Sequence, residues 1–251
     1  MTTIAVIGDV GGCAEQLARA VAAVEAEDRE VVVVQVGDLV DRGPDTPGVL
    51  AFVGERLTGR RWVQLAGNHE SQYLGAPLFW PKPLADRDAD RLRDWWRRER
   101  LQVAAAVRTA DGEELLLTHA GLSVRAWQEL GEPVTAETAA ALLNTRPEPL
   151  LWQDHGPLWA EAATGLYPGW LDGGRPMPFG QVHGHSAIVD YGRREWRCGE
   201  RIRARSTVDW YARRTVTRAG GERFVAVDPR HGPRGAAEWA PLVLRDAELL
   251  G

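Results

Sequence analysis

The chain has 251 residues and a mass of 27.7 kDa, enough for one large α/β domain spanning residues 1–251, and nothing in it demands a second. A formal net charge of -5 excludes an overall basic field that would draw it onto nucleic acid, and no apolar run reaches membrane-spanning length. Two cysteines, Cys13 and Cys198, form neither a disulfide framework nor a zinc knuckle; with no signal peptide evident after Met1, the expected location is cytoplasmic.

Residues 3–7 predict a first strand that ends in Gly8-Asp9-Val10-Gly11-Gly12. A helix should follow from about residue 14, with Leu17, Val21 and Val24 at helical spacing on one face. Residues 31–36, valine-rich and broken only by Gln35, predict a second strand buried on both faces. That strand delivers Gly37-Asp38-Leu39-Val40-Asp41-Arg42-Gly43-Pro44 to the sheet edge where open α/β folds place ligands. Charged side chains packed at a strand end are costly unless a cation and an anion compensate them. Residues 49–57 predict a crossover helix, and a third strand at 62–66 runs into Gly67-Asn68-His69-Glu70. Three strands ending in three polar clusters imply a parallel arrangement with all three clusters on one edge.

Residues 84–107 are charged and predict one or two helices, with one of the adjacent Trp95 and Trp96 buried and the other exposed or under a loop. The basic cluster at 91–100, mixed with Asp94 and Glu99, reads as a solvated face. Residues 114–117 predict a strand ending at Thr118-His119-Ala120-Gly121, followed by helices at 124–130 and 135–143. Residues 145–178, rich in proline and glycine, predict a long ordered loop near the rim of the site. A strand at 179–183 leads to Gly184-His185-Ser186, and residues 215–227 carry a hairpin signal around Ala219-Gly220-Gly221 that would extend a second sheet.

Five strand ends thus present Asp9, Asp38, Asn68, His119 and His185. Each has an ordinary explanation by itself, as a helix cap or a turn residue, but together those explanations need five coincidences. Carboxylate oxygens with imidazole nitrogens suit Mn, Fe or Zn rather than calcium, with Ni, Co or Mg also compatible. One or two such ions would lower the pKa of a bound water, and Asp38, on the central strand, is the natural bridging ligand. Arg42 offers a planar fork for phosphate oxygens, or a structural salt bridge with Asp41. His69 follows Asn68 and should sit beside the ions without binding them, placed to protonate a leaving alcohol with Glu70 orienting its ring.

On these motifs the chain resembles the calcineurin-like metallophosphoesterases, in the bacterial branch similar to phosphoprotein phosphatases and dinucleoside tetraphosphatases. That family's pattern is GDxHG, GDxxDRG, GNHE, HAG and GHT; residues 37–43, 67–70 and 119–121 match complete motifs, while Gly8-Asp9-Val10-Gly11-Gly12 and Gly184-His185-Ser186 match in part. The resemblance implies two mixed β-sheets packed as a sandwich flanked by helices, a four-layer αββα fold. It assigns Asp9 and Asp38 to a first metal, and Asp38, Asn68, His119 and His185 to a second, with His69 as acid and Arg42 as phosphate clamp. Gly11 stands where the family has histidine. Three outcomes remain open at this point: water completes the first shell, His183 swings in, or only one ion binds firmly. Cys13 is read as packing, His155 is placed at the pocket rim, and His231 at the surface.

The leading expectation is a phosphatase acting on a small phosphomonoester or a phosphoprotein. The alternative enzyme is a dinucleoside polyphosphate hydrolase, for which Trp152, Trp159 and the Trp95-Trp96 pair are candidate stacking surfaces. A metal- or phosphate-binding module with reduced turnover is the non-enzymatic reading, suggested by Gly11. Arg146 and Arg175 are candidates for a second phosphate-binding arginine, and sequence leaves the oligomeric state undetermined.

Overall fold

A computed structural model describes residues 1–231 and 238–251. The first part of the chain alternates strand and helix: β1 (Thr2–Ile7), α1 (Ala14–Glu27), β2 (Val32–Gln35), α2 (Thr46–Arg56), β3 (Trp62–Leu65), α3 (Asn68–Leu74), α4 (Asp86–Arg97) and β4 (Leu101–Gln102). β1 to β4 pair in parallel. The remainder supplies β5 (Ala104–Arg108), β6 (Glu114–Thr118), α5 (Val124–Glu129), α6 (Ala136–Asn144), α7 (Tyr167–Asp172), β7 (Gly180–His183) and the short ribbon of β8 (Val189–Asp190) with β9 (Glu195–Trp196). α8 (Glu200–Arg203), β10 (Ser206–Asp209), β11 (Arg214–Ala219), β12 (Glu222–Ala226) and β13 (Leu242–Leu250) complete it.

Side-chain alternation along the strands sorts the core into three layers. Ile4 and Val6 of β1 turn inward with Val34 and Leu65 to meet Ala105, Val107, Leu115, Leu117, Val182 and Val225 of the other sheet. Their neighbours Ala5 and Ile7 face Leu17 and Val21 of α1, Val49 and Val53 of α2, and Leu92 and Trp95 of α4. On the far side, Ala104, Ala106 and Leu116 pack under Ala139 and Leu143 of α6 and Tyr167 and Trp170 of α7. The result is the expected order of helices, sheet, sheet, helices.

β13 links the two sheets. Its residues Leu242 to Ala247 pair antiparallel with β1, and Glu248 to Leu250 pair antiparallel with β5. The hydrogen-bonded order is therefore continuous, β10-β11-β12-β7-β6-β5-β13-β1-β2-β3-β4.

Two segments differ from their sequence-based expectation. Residues 84–107 are helical only through Arg97; Glu99 takes a left-handed turn (φ 57°) and the chain then enters β4 and β5. The alanine-rich run that opens β5 is a strand because it is buried on both sides, with Ala104 and Ala106 in the outer core and Ala105 and Val107 between the sheets. Residues 145–178 contain a 3-10 turn (Leu150–Trp152), a π-helical turn (Ala162–Leu166) and α7, whose Tyr167 and Trp170 are deeply buried. Apolar anchors rather than loop composition decide that segment.

Candidate functional site

Gln35, the one polar break in the second strand, is fully buried and braces the strand ends. Its amide donates to the carbonyls of Gly8 (3.0 Å) and Gly37 (2.7 Å) and accepts from Gly37 N–H (3.0 Å). Beyond it, Asp38, Asp41 and Arg42 all adopt left-handed backbone (φ 56°, 66° and 61°), as does His185 (φ 61°). Such conformations are uncommon outside glycine and persist only where the surroundings enforce them. Here the Asp41 N–H donates to Thr46 Oγ1 (3.2 Å) and that of His185 to Asp9 Oδ1 (2.9 Å). Glu70 holds Asp38, its carboxylate accepting N–H bonds from Asp38 (2.8 Å), Leu39 (2.8 Å), Val40 (3.3 Å) and Gly67 (2.8 Å). Burial and the nearby Asp38 carboxylate push its pKa up to about 7 against those bonds. Gly67 and Gly184 allow close approach, since a Cβ would lie 2.3 Å from the Asp38 nitrogen at the first and 2.1 Å from Asp9 Oδ1 at the second.

The structure brings Asp9, Asp38, Asn68, His119 and His185 together. Ligand atoms of Asp9, Asp38 and His119 lie within 4.8 Å of one another. Asn68 Oδ1 is 3.0 Å from His119 Nε2 and 2.9 Å from His185 Nδ1, and Asp38 Oδ1 is 3.3 Å from His119 Nε2. His119 Nδ1 faces the Val36 carbonyl at 2.9 Å. A carbonyl only accepts, so that nitrogen carries the proton and a neutral ring turns its Nε2 lone pair onto two oxygens. Burial holds His119 below its ordinary pKa despite Asp38, and pushes His185 down to about 3, so both rings are neutral near neutral pH. Lone pairs converging on lone pairs are repulsive unless a cation sits among them, and a second ring nitrogen bound to a backbone carbonyl is the usual support of a metal-ligating histidine. The residues present therefore fit a divalent metal.

His69 lies beside this cluster, 3.8 Å from Asp38 Oδ2. Its Nδ1 meets Asp41 Oδ2 at 2.7 Å, and its Nε2 is 3.2 Å from Arg42 Nη2. Burial lowers its pKa, but Asp38 and Asp41 outweigh that and leave it raised. Asp41 also accepts from Gln72 Nε2 at 3.2 Å. The ring is thus oriented by Asp41, not by Glu70, and Asp41 faces His69 rather than forming a salt bridge with Arg42. A cavity of about 660 Å³ opens over these groups, walled by Phe79, Trp80 and Trp159 on one side and by Asp228, Arg230 and His231 on another. The His69 ring centre lies 5.0 Å from that of Phe79 and 5.1 Å from that of Trp80, and Phe79 is 5.3 Å from Trp159.

Other expectations fall differently. His183 is fully buried with both nitrogens engaged, at 2.8 Å from the Tyr167 hydroxyl and 2.9 Å from the Gly184 carbonyl, so it faces the core and not Asp9. Arg146 stacks 3.6 Å over the Trp96 ring, and Arg175 pairs with Glu132, so neither reaches the cavity. Trp95 belongs to the α4 core, Trp152 packs with Trp96, and His155 sits between Asp154 and Glu129 outside the cavity lining. His231 is not superficial: it is 6% exposed and lines the cavity. Asp228, which sequence reading passed over, stands at the end of β12, parallel to β7, and is equally buried. Burial, then Asp228 and Asp38, push the Asp9 carboxyl well above its ordinary range. The signal for Asp228 was the same as for the five others, an apolar strand run ending in a polar side chain.

A family model described as calcineurin-like phosphoesterase matches residues 2–213. A symmetrical bis(5'-nucleosyl)-tetraphosphatase of Yersinia pestis (strain Pestoides F) is 31% identical over 173 residues, covering 64% of this chain and 57% of that protein. A protein of the same description from Yersinia pseudotuberculosis serotype O:1b (strain IP 31758) matches equally, and the chain spans little more than half the length of these relatives. Among solved structures, a point mutant of a cold-active protein tyrosine phosphatase superposes with a TM-score of 0.57 at 18% identity, over 100% of this chain and 81% of that one. The cold-active protein-tyrosine phosphatase of a psychrophilic Shewanella species gives 0.51 at 15% identity with the same coverage. At such identities the likeness is one of fold.

Proposed function

Because the chain belongs to the calcineurin-like phosphoesterase family, we propose that it hydrolyses phosphate esters with divalent metal held by Asp9, Asp38, Asn68, His119 and His185. The observation that carries this reading is the His119 ring, fixed by the Val36 carbonyl so that its free nitrogen faces the oxygens of Asn68 and Asp38. When bound, one or two ions, with Mn, Fe or Zn best suited to this donor set, supply Lewis-acid stabilisation and a water acidic enough to act as nucleophile near neutral pH. Arg42, in the cavity wall, presents its guanidinium to the equatorial phosphoryl oxygens. His69, held through Nδ1 by Asp41, presents Nε2 to the leaving oxygen, and its raised pKa keeps the protonated ring accessible near neutral pH.

The substrate in this reading is a small phosphomonoester or a phosphoprotein, with no nucleic acid or membrane involved; a cytoplasmic location agrees with the two free cysteines. The aromatic wall of Phe79, Trp80 and Trp159 beside His69 favours a second reading, a substrate whose leaving group carries a flat base, such as a dinucleoside polyphosphate. The tetraphosphatase relatives point the same way. Chelation should abolish turnover of p-nitrophenyl phosphate and Mn should restore it; turnover that survives complete chelation rejects the proposal. Diadenosine tetraphosphate decides the substrate: a higher kcat/KM on it, reduced selectively in Trp80→Ala, establishes the second reading, and equal losses on both substrates reject it.

A further inference from the structure

The donors around Asp38 are unevenly distributed. Asn68 Oδ1 gathers the ring nitrogens of His119 and His185, whereas Asp9, which shares the 4.8 Å group of Asp38 and His119, is followed two residues on by Gly11, which has no side chain to offer. Gly11 is itself left-handed (φ 49°), a conformation in which a side chain is strained. The segment after β12 comes in beside it. A Cβ built on Gly11 would stand 3.8 Å from the His231 Cβ, so the His231 side chain borders the volume that a residue at position 11 would fill. His231 is 6% exposed, and neither ring nitrogen completes a well-formed hydrogen bond among the described residues, although the backbone of Asp9 lies close enough to act on the ring. It lines the same cavity as Asp9, Asp38 and Asp228. Trp239, with ring centres 6.0 Å apart, packs against its ring edge to face. A buried imidazole whose nitrogens complete no well-formed hydrogen bond carries a desolvation cost that a ligand would relieve, and three buried carboxylates facing one cavity call for more positive charge than Arg42 and Arg230 bring.

We infer that His231 is the imidazole donor to a cation held on the Asp9 side of Asp38, with Asp228 the accompanying carboxylate. The inference rests on the metal-dependent reading above and adds to it a second binding position completed from the far end of the fold. His231 reaches that position because β12 lies parallel to β7 and ends at the same sheet edge as β1 and β2.

The test is metal stoichiometry and affinity of the full chain, read by elemental analysis after dialysis against Mn and by isothermal titration. The wild type should hold two Mn ions per chain. His231→Ala should hold one, or bind the second at least about tenfold more weakly, while His119→Ala should weaken the other ion instead. The electron paramagnetic resonance spectrum should change in parallel, from that of a spin-coupled Mn pair to that of an isolated ion. His231→Gln, closer in volume, serves if the alanine variant melts early. Two ions bound with unchanged affinity in either folded variant would overturn the inference and leave the proposed function standing. A wild type that binds only one ion would also overturn it, and a wild type that binds none would remove the metal-dependent reading as well.

Discussion

Asp41 shows how the site divides labour among single residues. It touches neither the convergent donor atoms nor Arg42, and spends its two nearest contacts on His69 Nδ1 and Gln72. In the proposed mechanism it is a positioning residue. Asp41→Asn should leave metal content unchanged and reduce kcat by roughly tenfold or more, because proton transfer depends on a correctly aimed ring. Its charge is one of those that raise the His69 pKa, so the variant's His69 titrates lower. The acid works only when protonated, and activity is lost as pH rises through that pKa; the alkaline limb of the pH profile should therefore move to lower pH. An unmoved limb would remove His69 from the role of acid. Arg42→Ala should cost roughly 100- to 1000-fold in kcat/KM by removing a group aimed at developing charge, with metal content preserved.

At the level of elements, the strand-to-helix junctions hold the site together, and Glu70 is their common anchor. It sits in the first turn of α3, yet three of its four N–H partners belong to the loop after β2. Truncation would leave several buried backbone donors unpaired, each costing about 1–3 kcal/mol. Glu70→Ala should thus lose more than about 3 kcal/mol of stability in denaturant unfolding and also bind metal more weakly, since left-handed Asp38 and the loop through Val40 lose their restraint. Glu70→Gln keeps one acceptor oxygen and should fall between. The segment at 145–178 is fastened in a similar way, with Ala162 N–H donating to Ser186 Oγ at 2.9 Å, which fixes Trp159 and Glu161 over His185.

For the molecule as a whole, the two sheets depend on β13. Ala247 is fully buried at the point where this strand passes from β1 to β5, within the core between the sheets. Ala247→Asp would bury an unpaired carboxylate there. It should cost more than about 3 kcal/mol, which for a chain of this size corresponds to roughly 6–12 °C in melting temperature by calorimetry. A drop confined to one of two separate transitions would show that the sheets unfold independently and that β13 does not couple them.

The strands that carry the five convergent donors, and those donors, were legible in the sequence because each is a local pattern: an apolar run long enough for a strand, then a polar side chain at its end with glycine close by. Such a pattern needs only its own residues to be recognised. Other features depended on segments distant in sequence. The role of Glu70 depends on a loop some thirty residues earlier. The alanine-rich β5 owes its strand conformation to burial between two layers, since alanine itself favours helix. Asp228 and His231 reach the cavity only because β12 adds in parallel to β7, and His183 turns away from it because Tyr167 and Phe224 enclose its ring. Local chemistry named the donors, while pairing between remote strands decided which further side chains share their cavity.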